Sequence, residues 1–239
     1  QLTTYEELQS EIFTPITPEV FWTPLKKPVK DCVVGFASAC GVHLKTQIPY
    51  KTSGDRSWRT VPKDVLPDEL MIRMADTITA DVNKDINCMW PYQRMQELED
   101  EGFIKKFCDN NAGFMGGGGD VELLKEKIGP EIAEMFKEQG TDIVLLTAAE
   151  APATALSNGA EAIEAAGIST CIIAALPPVC RQQGTPRAIA PTVPMGANAG
   201  EPNNPAMQTQ IVKEALKFME EADQPGLIKP LPIEYHAKI

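Results

Sequence analysis

Three side chains that can act as nucleophiles or proton carriers lie shortly after apolar runs of the sequence: Cys40, Glu150 and Cys180. A neighbouring cation favours the thiolate form of a cysteine, and His43 and Arg181 lie close in sequence to the two thiols. A loop carboxylate can serve as a general acid or base. These three residues are therefore candidate catalytic residues, although packed thiols and a helix-capping carboxylate explain the same pattern.

A second group of polar residues is suited to binding a small charged molecule. Asp55, Arg56 and Arg59 lie in one polar stretch, and the arginine fork matches the geometry of a carboxylate. Asn198 belongs to an uncharged polar stretch suited to hydrogen bonding. We predict these residues, together with His43, as substrate-binding residues. A surface salt-bridge loop is the alternative for the charged group.

A run of four glycines, Gly116, Gly117, Gly118 and Gly119, precedes an amphipathic segment. Glycine backbone ahead of a helix exposes N–H groups that can hold a phosphate or a carboxylate. The run matches neither a dinucleotide-binding motif nor a Walker motif. We expect a close-approach loop near the site, while a flexible turn or a subunit contact explains the run equally well.

The apolar runs predict buried strands, and the amphipathic segments between them predict helices. The expected strands are 32–39, 103–108, 142–147 and 171–176, and the expected helices are 85–102, 121–139 with an interruption at Pro130, 155–166 and 205–221. Strand–helix–strand units with short connections form parallel sheets, whose ligands bind beyond the carboxyl ends of the strands. The predicted fold is α/β, an open and mainly parallel sheet with helices on both faces.

The chain divides into an extended N-terminal arm, residues 1–31, and one α/β domain, residues 32–239. Prolines interrupt the arm at four positions and forbid a long helix there. The remaining length suits one large domain with a well-filled core.

Composition restricts the partners and the compartment. A net charge of -11 argues against a nucleic acid or an anionic membrane as the partner. No apolar stretch approaches the roughly 20 residues of a membrane helix. Six scattered cysteines fit the reduced thiols of a cytoplasmic protein, and two histidines make a metal site unexpected. We expect a soluble cytoplasmic protein.

Several long motifs resemble one known family. They are GVHLK at 41–45, GDRSWR at 54–59, DVNKDINC at 81–88, GFMGGGGD at 113–120, and the stretch from PPVCRQ at 177–182 to EPN at 201–203. The likeness covers almost the whole chain. It resembles the small, selenocysteine-bearing subunit of D-proline reductase and, more distantly, the B component of the glycine, sarcosine and betaine reductases.

The resemblance implies an anaerobic enzyme of amino acid metabolism that cleaves a C–N bond next to a carboxylate, with electrons delivered by dithiols. It also implies a hetero-oligomer. A larger partner subunit would carry a pyruvoyl group that activates the substrate amine, and this chain alone would bind no cofactor. The substrate would be a small amino acid or a cyclic amine.

The sequence departs from the family at the reactive loop. The family carries selenocysteine, followed three residues later by cysteine, where Glu150 and Ala153 stand here. A carboxylate cannot form the selenenyl sulfide of the family's redox step. Either Cys180 or Cys40 has taken over, or Glu150 moves a proton in a non-redox elimination or racemisation. A third possibility is a non-catalytic structural paralogue.

Overall fold

An eight-stranded sheet is the centre of this computed structural model, which describes residues 20–73, 80–116, 121–147 and 153–236, except the side chains of residues 121 and 153–158. The strands in chain order are β1 (Val33–Ser38), β2 (His43–Leu44), β3 (Trp58–Pro62), β4 (Leu70–Met71), β5 (Lys106–Phe107), β6 (Asn110–Phe114), β7 (Ile143–Thr147), β8 (Ser169–Ile173), β9 (Arg187–Pro191) and β10 (Leu227–Leu231). Strands β2 and β4 form a separate antiparallel pair.

Helices cover both faces of the large sheet. They are α1 (Tyr92–Asp100), α2 (Val121–Leu123, Leu124–Ile128 and Gly129–Glu138), α3 (Ala153–Ala165), α4 (Pro177–Gln183) and α5 (Pro205–Glu221), with short 3-10 turns at Val29–Asp31, Pro67–Glu69 and Ile86–Cys88. Along β7, Ile143 and Leu145 join the core beneath α1 and α5, whereas Val144 and Leu146 join the core beneath α2 and α3. This alternation is the period of a strand buried on both faces, and the predicted α/β fold is confirmed.

The strand order places a topological switch at β1. The order is β10-β9-β8-β7-β1-β6-β3, and every pair is parallel except β3 with β6. From β1 the chain moves to one side, to β5 and β6, and then returns across β1 to β7 on the other side. Connections therefore leave β1 and β7 in opposite directions, and the carboxyl ends of these two strands are where sheets of this kind form a ligand-binding crevice.

The strand predicted at 103–108 begins later and is broken in two. Strand β5 pairs with the start of β1, β6 pairs with its end, and the Asn111 side chain fills the gap. Asn111 Oδ1 accepts a hydrogen bond from the Phe36 N–H (2.8 Å), and its Nδ2 donates to the Cys108 carbonyl (3.0 Å). A fully buried amide thus satisfies backbone groups that the break would leave unpaired.

Two predicted helices differ in detail. The helix expected over 85–102 begins only at Tyr92, because Asp85 caps a separate 3-10 turn and Pro91 follows it. The interruption expected at Pro130 takes the form of a π-helical segment, Leu124–Ile128, which ends two residues before the proline. The wider π turn accommodates a residue that has no N–H and whose ring would collide with the preceding turn.

Residues 20–28 form neither helix nor strand and lie against the amino edge of the sheet. Thr23 is held there by Glu164, which accepts from its N–H, and by Arg187, which donates to its carbonyl (2.6 Å). Residues 1–19 of the predicted arm lie outside the described residues, so the division at residue 31 stays a prediction.

Candidate active site at the switch point

Four residues meet in a buried cluster where β1 and β7 end. Ser38 and Thr147 are register partners, and Ser38 Oγ lies 2.8 Å from Thr147 Oγ1 and 2.9 Å from Cys40 Sγ. Thr147 Oγ1 in turn donates to the Met89 carbonyl (2.6 Å). Burial raises the pKa of the Cys40 thiol to about 12, and hydrogen bonds from the Ser38 hydroxyl and from the backbone at Val42 and Cys40 offset it only in part. The predicted nucleophile Cys40 therefore lies at the switch point as a neutral, enclosed thiol.

Backbone hydrogen bonds join this cluster to the glycine run. The Ala39 N–H donates to the Thr147 carbonyl, and the Gly116 N–H donates to the Ala39 carbonyl. The N···O distance is 2.9 Å in each of these hydrogen bonds. A side chain at Gly116 would bring a Cβ within 2.9 Å of the Ala39 Cβ. Gly116 thus lies beside the end of β1, whereas Gly117, Gly118 and Gly119 lie outside the described residues, so the close-approach loop stays a prediction.

Glu150 also lies outside the described residues. The described chain stops at Thr147 and resumes with α3 at Ala153, whose side chain is likewise not described. The catalytic assignment of Glu150 stays a prediction.

His43 is buried beside Tyr50 rather than paired with Cys40. Its Nδ1 lies 2.9 Å from the Gly41 carbonyl, and its ring meets the Tyr50 ring edge-on at 5.2 Å. Nε2 is buried, with no hydrogen-bond partner among the described residues. Within the same residues, no hydrogen bond joins His43 to Cys40. The two side chains are close in sequence but do not form a thiol–imidazole pair.

The charged stretch after Gly54 is largely occupied with its own backbone. Asp55 is buried and accepts from the Lys51 N–H (2.7 Å) and from the Ser57 N–H and hydroxyl. Burial acts to raise the Asp55 pKa, but these hydrogen bonds outweigh it and the net pKa is lowered. The arrangement is that of a structural turn, and the substrate-binding assignment of Asp55 stays a prediction.

The two arginines of this stretch differ in position. Arg59 lies in β3 rather than in the polar loop expected from the sequence, and its guanidinium donates to the Ile48 and Trp58 carbonyls. The Arg59 fork also lies 4.6 Å above the Tyr50 ring. Arg56 is exposed in the preceding loop. These contacts do not test whether Arg56 or Arg59 binds a substrate carboxylate, so both assignments stay predictions.

Cys180 lies on α4 rather than in the loop expected from the sequence, because Pro177 and Pro178 start a helix directly after β8. It packs into the core beneath α2 and α3, and burial raises its pKa to about 11. Asn198 is buried at the end of β8, where Nδ2 donates to the Ile173 carbonyl (2.9 Å). Both residues lie on the carboxyl side of the sheet, but neither is joined to Cys40 by a described contact.

All six cysteines are free and buried. Desolvation is the largest influence on each thiol, raising the pKa to about 12 in Cys32 and Cys171 and to about 11 in Cys108. Cys88 is shifted in the same direction. The described part of the chain contains no group of three or more His, Cys, Asp or Glu able to hold a metal ion. Nor does it contain a helix long and apolar enough to span a membrane.

Ser38, Thr147 and Met89 were not predicted as parts of the site. The available signal was that Ser38 and Thr147 end two apolar runs, since a polar residue at the end of a buried parallel strand faces the ligand edge. What the sequence did not give was the pairing of the two strands, which joins residues 109 positions apart.

Comparison with known proteins agrees with the long motifs. The chain is 51% identical over 239 residues to D-proline reductase subunit gamma of Acetoanaerobium sticklandii, covering 100% of this chain and 99% of that protein. It is 31% identical over 143 residues to glycine reductase complex component B subunit gamma of Carboxydothermus hydrogenoformans, which is 57% of this chain and 32% of that protein. No protein-family model and no solved structure matches. The chain therefore belongs to the family of the D-proline reductase gamma subunit.

Proposed function

We propose that this chain is a subunit of a D-proline reductase-like complex that acts on a small amino acid or a cyclic amine. The observation that carries the proposal is that β7 ends at the switch point of the sheet. Glu150 and Ala153, which follow β7 in the sequence, occupy the two positions at which the family bears selenocysteine and cysteine. The 51% identity over the full chain to a subunit of D-proline reductase supports the same class of reaction for this complex.

The reaction proposed for the complex is reductive C–N cleavage. A dithiol supplies two electrons and two protons, the C–N bond breaks, carbon and nitrogen each gain a hydrogen, and the dithiol becomes a disulfide. We assign Glu150 to the substrate-facing loop as a proton carrier and Cys180 to the thiol that replaces the family's reactive pair. His43, Asp55, Arg56, Arg59 and Asn198 form the predicted binding set.

The proposed partner is a larger subunit that carries a pyruvoyl group, so that the hetero-oligomer and not this chain alone holds the electrophile. A carbonyl of this kind would bind the substrate amine.

A second candidate is non-redox proton transfer, elimination or racemisation α to a carboxylate, with Glu150 as the acid or base. The observation in its favour is the burial of all six thiols with raised pKa values, which leaves little thiolate near neutral pH. Glu150 is then the remaining reactive group of the segment that follows β7 in the sequence.

The test co-expresses the chain with a candidate pyruvoyl-bearing larger subunit and assays amino-acid-dependent oxidation of a dithiol. We expect Glu150→Gln and Cys180→Ala each to lower turnover at least about tenfold. Glu134→Gln, on an exposed side chain, and Cys171→Ala, at an equally buried thiol, are the matched controls and should keep turnover.

The paired outcomes separate the candidates. Turnover unchanged in both site variants contradicts the site assignment. Loss in Glu150→Gln alone, with proton exchange at the substrate α carbon but no dithiol oxidation in the parent complex, supports the non-redox reaction. Introducing Glu150→Cys with Ala153→Cys should then create dithiol-dependent reduction that the parent lacks. Co-purification with an active homologue, without any effect of either variant, would indicate a structural paralogue.

A further inference from the structure

We propose that a cavity bordered by β4, the 3-10 turn Ile86–Cys88 and α1 binds a small protonated amine that has N–H donors and no carboxylate. The cavity has a volume of about 560 Å³, and it takes part of its lining from the DVNKDINC motif at 81–88. Among the described residues predicted as catalytic or substrate-binding, none lines it. The cavity is therefore a second site, and its ligand does not depend on the reductase reaction.

The Asn87 side chain contributes an unpaired acceptor to this cavity. It is only 3% exposed and belongs to the lining. Both protons of its Nδ2 are used, one by Asp85 Oδ1 (2.9 Å) and one by Gln93 Oε1 (2.6 Å). Its Oδ1 has no hydrogen-bond partner among the described residues. A buried amide oxygen without a donor is destabilising, so a ligand that donates an N–H to it is favoured.

The neighbours of Asn87 fix which end of its amide is unpaired. Burial acts to raise the Asp85 pKa, but hydrogen bonds from Gln208, Asn87 and Asn203 outweigh it, so the pKa is lowered and the group is a carboxylate. A carboxylate can only accept hydrogen bonds. Turning the Asn87 amide would set its oxygen against an Asp85 oxygen, two acceptors without a proton. Nδ2 therefore faces Asp85, and the unpaired atom is the oxygen.

Asp85 contributes charge to the cavity rather than a free acceptor. Its Oδ1 accepts from the Asn87 N–H (3.0 Å) as well as from Asn87 Nδ2. Its Oδ2 accepts from the Asn203 N–H (2.9 Å) and from Gln208 Nε2 (2.7 Å). These four hydrogen bonds use the lone pairs of the carboxylate. A ligand would therefore feel the negative charge of Asp85 but would donate its N–H to Asn87 Oδ1.

The charges of the lining favour a cation. Asp68 adds an exposed carboxylate to that of Asp85. Lys84 is the one cation among the described lining residues, and its Nζ is paired with Asp81 Oδ1 (3.2 Å). A carboxylate on the ligand would meet two carboxylates and a lysine that is already paired. An amino acid zwitterion should therefore bind less tightly than a simple amine.

Apolar side chains in the same lining suit a short hydrocarbon body. Leu70 and Val82 are buried there, and Ile72 is partly buried. A bare metal ion would leave these side chains without a contact and most of the volume unfilled. An alkylammonium ion uses the negative charge, the amide oxygen and the apolar wall together.

The test titrates the full chain with butylammonium at low ionic strength and follows the backbone amide resonances by NMR. Tetramethylammonium has the same charge but no N–H, 4-aminobutyrate adds a carboxylate, and potassium is a bare cation. We expect butylammonium to shift the Asn87 and Asn203 amides and to bind at least about tenfold more tightly than tetramethylammonium or potassium. It should bind at least about threefold more tightly than 4-aminobutyrate.

Two variants with matched controls locate the ligand. Asn87→Leu removes the unpaired oxygen and should weaken butylammonium at least about tenfold, whereas Asn110→Ala, at an exposed asparagine of β6, should leave binding unchanged. Asp68→Asn should weaken it about threefold without disturbing the fold, because Asp68 is exposed. Asp223→Asn, at an exposed position outside the lining, is its control.

Several results would overturn the proposal. They are tetramethylammonium or potassium binding as tightly as butylammonium, 4-aminobutyrate binding more tightly, or butylammonium affinity that Asp68→Asn and Asn87→Leu leave unchanged. Absence of any shift at Asn87 and Asn203 would overturn it as well. Because binding to the full chain needs no turnover, failure of the reductase assignment would leave all of these results as they are.

Discussion

Arg187 Nη2 lies 2.8 Å from Glu164 Oε1, and both side chains are completely buried. The same carboxylate oxygen accepts from the Thr170 N–H and hydroxyl, both at 2.7 Å. Through Thr23 the pair holds residues 20–28 against the amino edge of the sheet. The pair lies at the opposite end of the strands from the crevice and so fastens the N-terminal segment without contributing to the site.

Removing one partner of the Arg187–Glu164 pair should destabilise the fold. We expect Arg187→Met to lower the free energy of unfolding by about 3–5 kcal/mol, because Glu164 would remain buried without its counter-charge. Chemical denaturation measures the change. Lys217→Met is the control, since Lys217 pairs with Glu214 at the surface and should cost less than about 1 kcal/mol. Equal losses in the two variants would contradict the assigned role.

The Asp85 carboxylate should make stability depend on acid pH. It accepts from the Gln208 side chain (2.7 Å), from the Asn203 N–H (2.9 Å) and from the Asn87 N–H and side chain. Burial acts to raise the Asp85 pKa, but these hydrogen bonds outweigh it, so the pKa is lowered on folding. The stabilisation is therefore present above the unfolded pKa of about 3.9 and is lost as the pH falls through the folded value.

We expect Asp85→Asn to lower the free energy of unfolding by about 2 kcal/mol at pH 7. The difference between the variant and the parent should shrink below about pH 4, because Asp85 of the parent becomes protonated there. Melting temperatures between pH 3 and pH 7 measure this. Asp223→Asn, at an exposed position, is the control. A constant difference at every pH would show that the carboxylate charge is not the stabilising feature.

Gly113 should tolerate no side chain. A Cβ there would lie 2.0 Å from the Val42 carbonyl oxygen, which is backbone and cannot turn aside. We expect Gly113→Ala to lower the free energy of unfolding by about 3 kcal/mol. Thermal or chemical unfolding measures the change. Gly159→Ala in α3 is the matched control. Its Cβ would make an ordinary 3.5 Å contact with Phe114, so helix propensity should make it neutral or stabilising by about 1 kcal/mol.

Elements with a complete local signal were predictable, and those defined by pairing were not. The helix Pro205–Glu221 has the predicted ends, because Asn204 caps it by accepting from the Met207 N–H (3.1 Å) and the proline suits its first turn. Strand β3 was missed because Trp58–Pro62 is a polar edge strand that is defined by antiparallel pairing with β6. Strands β9 and β10 were also missed, because each is short and contains a proline.

The site follows the same division. Residue types and strand ends located Cys40 near the end of β1, and motif resemblance located the family. Cys180 lies on α4 rather than in a loop, and Glu150 lies outside the described residues. What the sequence could not provide was the side-chain environment. Cys40 points to a hydroxyl 2.9 Å away rather than to His43, and Asp55 is held by its own loop. Such distinctions depend on side-chain direction, which a spacing of two or three residues does not fix.

The reactivity of Cys180 tests whether the thiol environment changes in the working enzyme. With its pKa raised to about 11 by burial, about one Cys180 in a thousand is ionised at pH 8, against about a quarter of an ordinary cysteine. We expect alkylation of the folded chain by iodoacetamide to be at least about 100-fold slower than after denaturation, and its rate to rise steadily up to pH 10. Mass spectrometry of the labelled peptides measures both rates, with Cys108 as the internal comparison, because its pKa is also about 11.

Labelling of Cys180 at the rate of a free thiol at pH 8, with Cys108 still protected, would mean that Arg181 favours its thiolate and that burial does not govern it. Faster labelling of Cys180 only after the larger partner is added would instead place its activation in the assembled complex.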